Sequence, residues 1–324
     1  VAAADWIPTV SLFNLLSRPL PLPSCKSLPS RRFHCLSLFS PRPMPNTSSH
    51  LLFAYVPSLS GLDRFFGPSS PAFRRLGLAR AEGSLAFDGI NIVLVPGAGQ
   101  AFGELLAVDP AHLPQLDAEA EAVEDFPPRP ALQRRPLPVT LLDSGETRTV
   151  EAYLPPADAL DELRSLHAVH DFRGTLLKGD RQDNWYLAFG SNLNPDRLRD
   201  RVGDFAGEEP GLLPGFRLVF NKRAGEDHAY ANIASDPDGP GCPAVAYRLR
   251  PEQIRELDSY EGTPRHYIRL GLPFAPEDSP GTPLLGFAYV AQPEQLVPAR
   301  PPTDSYLHHL QHGYQLRGWT RDIE

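Results

Sequence analysis

Two short runs in this chain hold residue types that could do chemistry together. Glu261 precedes Gly262 at the end of a helical pattern, and a carboxylate can take and return a proton if burial raises its pKa. Gly190-Ser191-Asn192 follows an apolar run, and backbone N–H groups in such a loop can hold an anion or a developing oxyanion. Each run alone has a plainer reading. A helix-end glutamate is usually solvated surface, and a Gly-Ser-Asn is commonly just a turn.

Other reactive types are less well placed. His308, His309 and His312 include an i, i+4 pair, but the nearest carboxylate in sequence is Asp304 and no cysteine lies close. A surface helix fits them better than a metal site, so no metal is expected. Cys242 sits among Gly and Pro, as in a turn, with no basic neighbour to activate it. Lys222 and Arg223 follow a strand pattern without a Gly-rich phosphate loop, which gives phosphate binding little support.

The elements that must position these residues come in two sets. Leu51–Leu59 resembles Trp185–Leu193, and Asp109–Asp117 aligns without gaps with Arg250–Asp258. Both anchors recur in the same order at similar separation, which reads as a tandem duplication. Strands are predicted at 51–55 and 185–189, then at Arg217–Asn221, Ala229–Ala234 and Ala244–Leu249. Hairpins pair Pro138–Leu142 with Thr149–Leu154 around Asp143–Glu146, and Tyr267–Leu272 with Leu284–Val290. Pro110 and Pro251 each open a helix, where a missing N–H costs nothing. An amphipathic helix is predicted over 158–170, a polar linker over 173–184, and a proline-rich loop over 127–138. The 37 prolines favour short strands and many turns.

A formal charge of -8 argues against a nucleic-acid surface. No apolar run is long enough for a membrane helix. Three cysteines without a CxxC pair point to a reducing, cytoplasmic setting. Residues 1–43 differ from the rest, with five Lys/Arg against Asp5 alone. They read as untranslated sequence ahead of Met44 or as a targeting segment, with little fixed structure either way.

Tyr186-Leu187-Ala188-Phe189-Gly190-Ser191-Asn192-Leu193 resembles the signature loop of the gamma-glutamylcyclotransferases. Leu257-Asp258-Ser259-Tyr260-Glu261-Gly262 is similar to that family's Leu-Asp-x-x-Glu-Gly motif. Tyr267, and Tyr306 after Pro301-Pro302, stand where the family carries tyrosines. The resemblance implies an α+β chain of two tandem domains, each a small mixed β-barrel or sheet with short helices. It divides the chain into a degenerate domain at 44–172, the linker, and a catalytic domain at 185–324.

The resemblance further implies that a gamma-glutamyl small molecule closes on itself to 5-oxoproline, its own α-amine attacking its γ-carbonyl. Glu261 would move the protons, and Phe189, Gly190, Ser191, Asn192, Leu193, Tyr267 and Tyr306 would bind substrate. No cofactor is implied. The leaving group stays open between an amino acid and an amine, its wall expected from loops 222–229 and 273–283, and the oligomeric state stays open too. In the first copy Val56, Pro57 and Ser58 replace the Gly-Ser-Asn, and Ala120 falls where Glu261 falls. Glu119 and Glu121 flank it, but one residue along a helix turns a side chain by about 100°. That copy is expected to be non-catalytic. The rival reading is a non-catalytic small-molecule-binding or interaction module on the same fold.

Overall fold

A computed structural model describes residues 49–55, 73–89, 91–122, 124–125, 128–177 and 182–319. The expectations for residues 1–43 and for Val56, Pro57 and Ser58 lie outside these. In the N-terminal half the strands are β1 (His50–Ala54), β2 (Phe73–Phe87), β3 (Ile92–Val108), β4 (Glu124–Asp125), β5 (Pro128–Arg129), β6 (Gln133–Leu141), β7 (Thr147–Leu154) and β8 (His167–Val169). The C-terminal half has β9 (Asn184–Ala188), β10 (Glu208–Leu213), β11 (Phe216–Arg223), β12 (Ala229–Ser235), β13 (Cys242–Leu249), β14 (Tyr267–Pro276) and β15 (Leu284–Ala291).

Each half closes a five-stranded barrel. The C-terminal ring runs β10-β13-β9-β15-β14, and the N-terminal one β2-β3-β1-β7-β6, closed by the β2–β3 pairing with β8 added outside. The two rings repeat one topology. β1 lies antiparallel to β3 and parallel to β7, as β9 lies antiparallel to β13 and parallel to β15. The register repeats as well: Ala54 faces Glu104 and Leu52 faces Glu151, while Ala188 faces Val245 and Tyr186 faces Phe287. Alternation of apolar residues inward sets this register, since a one-residue slip would turn each barrel inside out.

A polar triad repeats too. Asp117 Oδ1 accepts from Tyr153 Oη at 2.8 Å and Arg134 Nε at 2.9 Å. In the second half Asp258 Oδ1 accepts from Tyr289 Oη at 2.8 Å and faces Arg269 Nε at 3.3 Å. Arg134 and Tyr153 are cross-strand partners, and so are Arg269 and Tyr289. Each triad pins the helix after β3 or β13 to the closing hairpin of its own barrel.

Four local expectations give way. Instead of a helix over 158–170 there is a 3-10 turn at Ala157–Ala159, one helical turn at Leu160–Arg164 and then β8. The backbone after Ser165 finds its partners on β2, Phe87 facing His167. The segment 173–184 begins inside a helix, Phe172–Leu176, whose N-cap Asp171 accepts from Arg173 N. The proline-rich stretch becomes strand from Gln133 onward. Pro136 and Pro138 pair only with β7, and β2 joins from Val139, so neither missing N–H breaks the second ladder. Cys242 is the fully buried first residue of β13 rather than part of a turn.

Residues 44–324 cluster as one compact unit. The core of the C-terminal barrel takes in Leu78, Phe102 and Leu142 from the other half. Between the halves, buried Glu104 sits against Arg173 Nη2 at 2.8 Å and Arg75 Nη1 at 3.4 Å, while Arg75 donates to Pro214 O. Phe102→Ala would open a cavity at this seam, costing about 3–5 kcal/mol. Urea denaturation should report that loss.

Candidate active site

The helix Pro251–Glu261 is placed by its buried side chains. Ile254 and Leu257 enter the core, and Gln253 Nε2 donates to Val202 O and Asp204 O, both at 2.9 Å. Glu261 is the last helical residue. Gly262 then takes the left-handed conformation (φ 65°, ψ 34°) and its N–H returns to Asp258 O and Ser259 O. A glycine there lets the chain turn at once, which leaves the Glu261 side chain aimed into a cavity of about 390 Å³.

That cavity brings together the two sequence motifs. Glu261 Oε1 accepts from Asn192 Nδ2 at 3.1 Å and from Arg201 Nη1 at 3.1 Å. Asn192 Nδ2 also reaches Tyr186 Oη at 2.9 Å, and its Oδ1 accepts from the same Arg201 nitrogen at 3.0 Å. Oε2 of Glu261 has no hydrogen-bond partner among the described residues. One carboxylate oxygen is therefore fixed and the other is left for a ligand. Burial pushes the Glu261 carboxyl above its ordinary range, opposed by Arg201, the Asn192 hydrogen bond, Lys222 and Arg197.

Phe189, Gly190, Ser191, Tyr267 and Tyr306 also line the cavity. Tyr306 Oη accepts from the N–H groups of Ser191 and Ala231, each at 3.3 Å. Tyr267 Oη donates to Ala231 O at 2.9 Å. The Ser191 amide is thus spent on Tyr306 rather than left open to a ligand. Gly190 is required for the same contact, because a Cβ there would meet Tyr306 Oη at 2.7 Å and Ala231 Cβ at 3.1 Å. Leu193 does not line the cavity. It is fully buried against Gly313, and its carbonyl accepts from Tyr247 Oη at 3.1 Å and Arg317 Nη1 at 3.0 Å.

Sequence reasoning missed Tyr186, Arg197, Arg201 and Tyr230, and it set Lys222 aside. Arg197 and Arg201 stand four apart on the helix Pro195–Val202 and share a face, a spacing visible in the sequence. Arg197 Nε donates to Ser191 Oγ at 3.1 Å. Lys222 reaches the cavity because a bulge between Phe220 and Lys222 shifts the β11 register. The bulge has no evident sequence signature.

Part of the wall is braced from the other half. Gln292 Oε1 accepts from Arg80 Nη1 at 3.1 Å, and its Nε2 donates to Gln100 Oε1 and Pro264 O, both at 3.0 Å. Its backbone N–H donates to His266 O at 3.0 Å, and His266 lines the cavity. Asp143 O accepts from Asn221 Nδ2 at 2.9 Å, beside Lys222. In the N-terminal barrel, by contrast, Ala120 is buried in one apolar cluster with Leu52, Val93, Val95, Leu132 and Leu163. Glu119 and Glu121 are exposed.

Residues 172–308 match the family described as gamma-glutamyl cyclotransferase, AIG2-like. This segment is gamma-glutamylcyclotransferase-like. No curated protein sequence matches the chain. YkqA from Bacillus subtilis is similar in structure, with a TM-score of 0.60 at 17% identity, over 83% of this chain and 92% of that one. That likeness spans both barrels and shows the fold. A mouse aig2-like protein (22% identity, 38% of this chain and 90% of that one, TM-score 0.29) also aligns. So does a yeast gamma-glutamyl cyclotransferase specific to glutathione (13%, 44% and 90%, TM-score 0.33). No helix among the described residues is long and apolar enough to cross a membrane.

Two outcomes follow from this geometry. Gly190→Ala should displace Tyr306 and cost about 1–3 kcal/mol of stability, read by thermal melting. Because the folded-state pKa of Glu261 is raised, its stabilising protonated form is complete below the ordinary glutamate range and is lost as pH rises through the raised value. Glu261→Gln should therefore melt higher than wild type at pH 8, and the gap should close toward pH 4.

Proposed function

We propose that the C-terminal barrel, residues 185–324, converts a gamma-glutamyl compound to 5-oxoproline and a free amine. The observation that carries this reading is one buried carboxylate, Glu261, held through a single oxygen by Asn192 and Arg201 and facing a polar cavity with the other. The reaction needs no protein nucleophile. The substrate's α-nitrogen attacks its own γ-carbonyl carbon, a new C–N bond closes the five-membered ring, and the original amide C–N bond breaks.

Protons must move in step. Glu261, ionised, takes one from the α-ammonium so that the amine can attack, and a second from the ring nitrogen as the lactam forms. It passes each in turn to the departing amine, which leaves as an ammonium while Glu261 ends as it began. A carboxyl pushed upward by burial suits both transfers, since it is neither too weak a base nor too weak an acid near neutrality. The Tyr306 hydroxyl accepts from two amides and so keeps its own proton to donate to a substrate oxygen. Closing the chain on itself requires a folded substrate, and a snug cavity removes that entropic barrier before the chemistry begins.

Among its described residues the N-terminal half, 44–172, has no such site in our reading, with 173–184 joining it to the catalytic half. Ala120 stands where the acid/base would be, and aliphatic side chains fill the space around it. Incubation of the full chain with gamma-glutamyl amino acids and gamma-glutamyl amines should release 5-oxoproline, detected by chromatography. Glu261→Gln should reduce turnover by about 10²–10⁴-fold while substrate still binds. Activity surviving in that variant would sink the mechanism, and binding without turnover by the wild type would favour a non-catalytic module.

A further inference from the structure

Lys222 is a buried cation with no anion in direct contact among the described residues, Glu261 acting on it only across the cavity. Its residue is 7% exposed, and its Nζ lies 5.2 Å from the Tyr230 ring centroid and 5.3 Å from that of Tyr267. Among the described residues no carboxylate forms an ion pair with it. Arg197 likewise has no carboxylate partner among the described residues, its one hydrogen bond going to Ser191 Oγ. Arg201 differs, being engaged by Glu261. The cavity therefore holds three cations against one carboxylate.

Removing a charge from water costs several kcal/mol unless a partner offsets it, and two ring faces supply only part of that. Burial indeed pulls the Lys222 ammonium below its ordinary range. Glu261 offsets part of that cost from across the cavity but is already engaged by Arg201, and a cation left so weakly compensated is best accounted for by an anion that arrives with the ligand. The glutamyl head of the proposed substrate is a zwitterion: its α-ammonium answers Glu261 and its α-carboxylate can answer one cation only. A further cation is left over, and it calls for a second anionic group on the substrate.

We propose that Lys222 is the specificity-determining residue of this site, binding a carboxylate on the departing amine so that gamma-glutamyl amino acids are turned over in preference to gamma-glutamyl amines. The assignment rests on the cyclotransferase reading above. Its position supports that division of labour. Arg197 lies beside the Gly190–Asn192 loop, where it contacts Ser191, whereas Lys222 comes from β11 on the β11–β12 hairpin, next to the half-exposed Tyr230. Tyr230 packs on Tyr306 with ring centroids 5.2 Å apart, so the aromatic wall beside Lys222 runs from an inner ring to an exposed one. On this assignment the departing amine lies toward the exposed end.

The test compares kcat/KM for gamma-glutamyl-alanine and gamma-glutamyl-alaninamide, which differ only in the carboxylate. Wild type should favour the acid by at least about 30-fold, the size expected when one member of a buried charge pair loses its mate. Lys222→Gln should collapse that ratio toward one, mainly through KM for the acid. Lys222→Glu should invert the preference, favouring gamma-glutamyl-putrescine, whose departing amine carries a positive charge. Thermal melting of each variant checks folding, and the ratio is internal to each variant, so partial loss of folded protein does not distort it. A wild type indifferent to the carboxylate, or a ratio unmoved in both variants, would overturn the role of Lys222 while leaving the reaction standing. Absence of 5-oxoproline from every compound would overturn the reaction and this assignment together.

Discussion

A carboxylate at the last turn of a helix faces that helix's carbonyl end, where the macrodipole disfavours negative charge. Glu261 is in that position and is largely buried as well, its side chain 16% exposed. Much of the C-terminal barrel can be understood as what is needed to keep it there. Asn192 and Arg201 supply two donors to one oxygen, each from a different segment after β9. The Asp258–Tyr289–Arg269 triad holds the helix itself against β14 and β15, one turn before the carboxylate. Gly262 turns the chain away directly after it.

The N-terminal barrel shows which of these parts belong to the scaffold. It keeps the ring order, the register and the Asp-Tyr-Arg triad, and so keeps the helix in place. It lacks the charge that the scaffold would otherwise have to tolerate. Ala120 lies in an aliphatic cluster that needs no donors and carries no desolvation penalty. The triad is thus a device for fixing a helix, used twice. The carboxylate at the helix end, by contrast, is present in the second barrel, where Ala120 holds its place in the first.

The repeat and the two motifs were legible in the sequence because they are local. Strand Ala188-Phe189 into Gly190-Ser191-Asn192, and Asp258 into Glu261-Gly262, each need only a few neighbouring residues to be recognised. The ring closure was not legible, since the long β2–β3 pairing and β10 carry few turn signals and depend on partners far along the chain. The helix foreseen over 158–170 failed because β2 offered its edge to the segment, a tertiary partner stronger than propensity. Lys222 was passed over for a related reason. Its neighbours in sequence say nothing, and only the bulge in β11 and two distant tyrosines turn it into part of the cavity. Gly190 was expected to bind substrate, and its missing Cβ makes room for Tyr306.

Gln292 has one further consequence. Its side-chain amide is shared among Arg80 and Gln100 of one barrel and the Pro264 carbonyl of the other. The turn that follows Glu261 is therefore anchored to a body that, on our reading, does no chemistry. A slip of the two barrels past one another would drag on the rim of the cavity. The N-terminal half thus acts as a buttress for the barrel that carries Glu261, and shedding it would leave the rim of the cavity without a backstop.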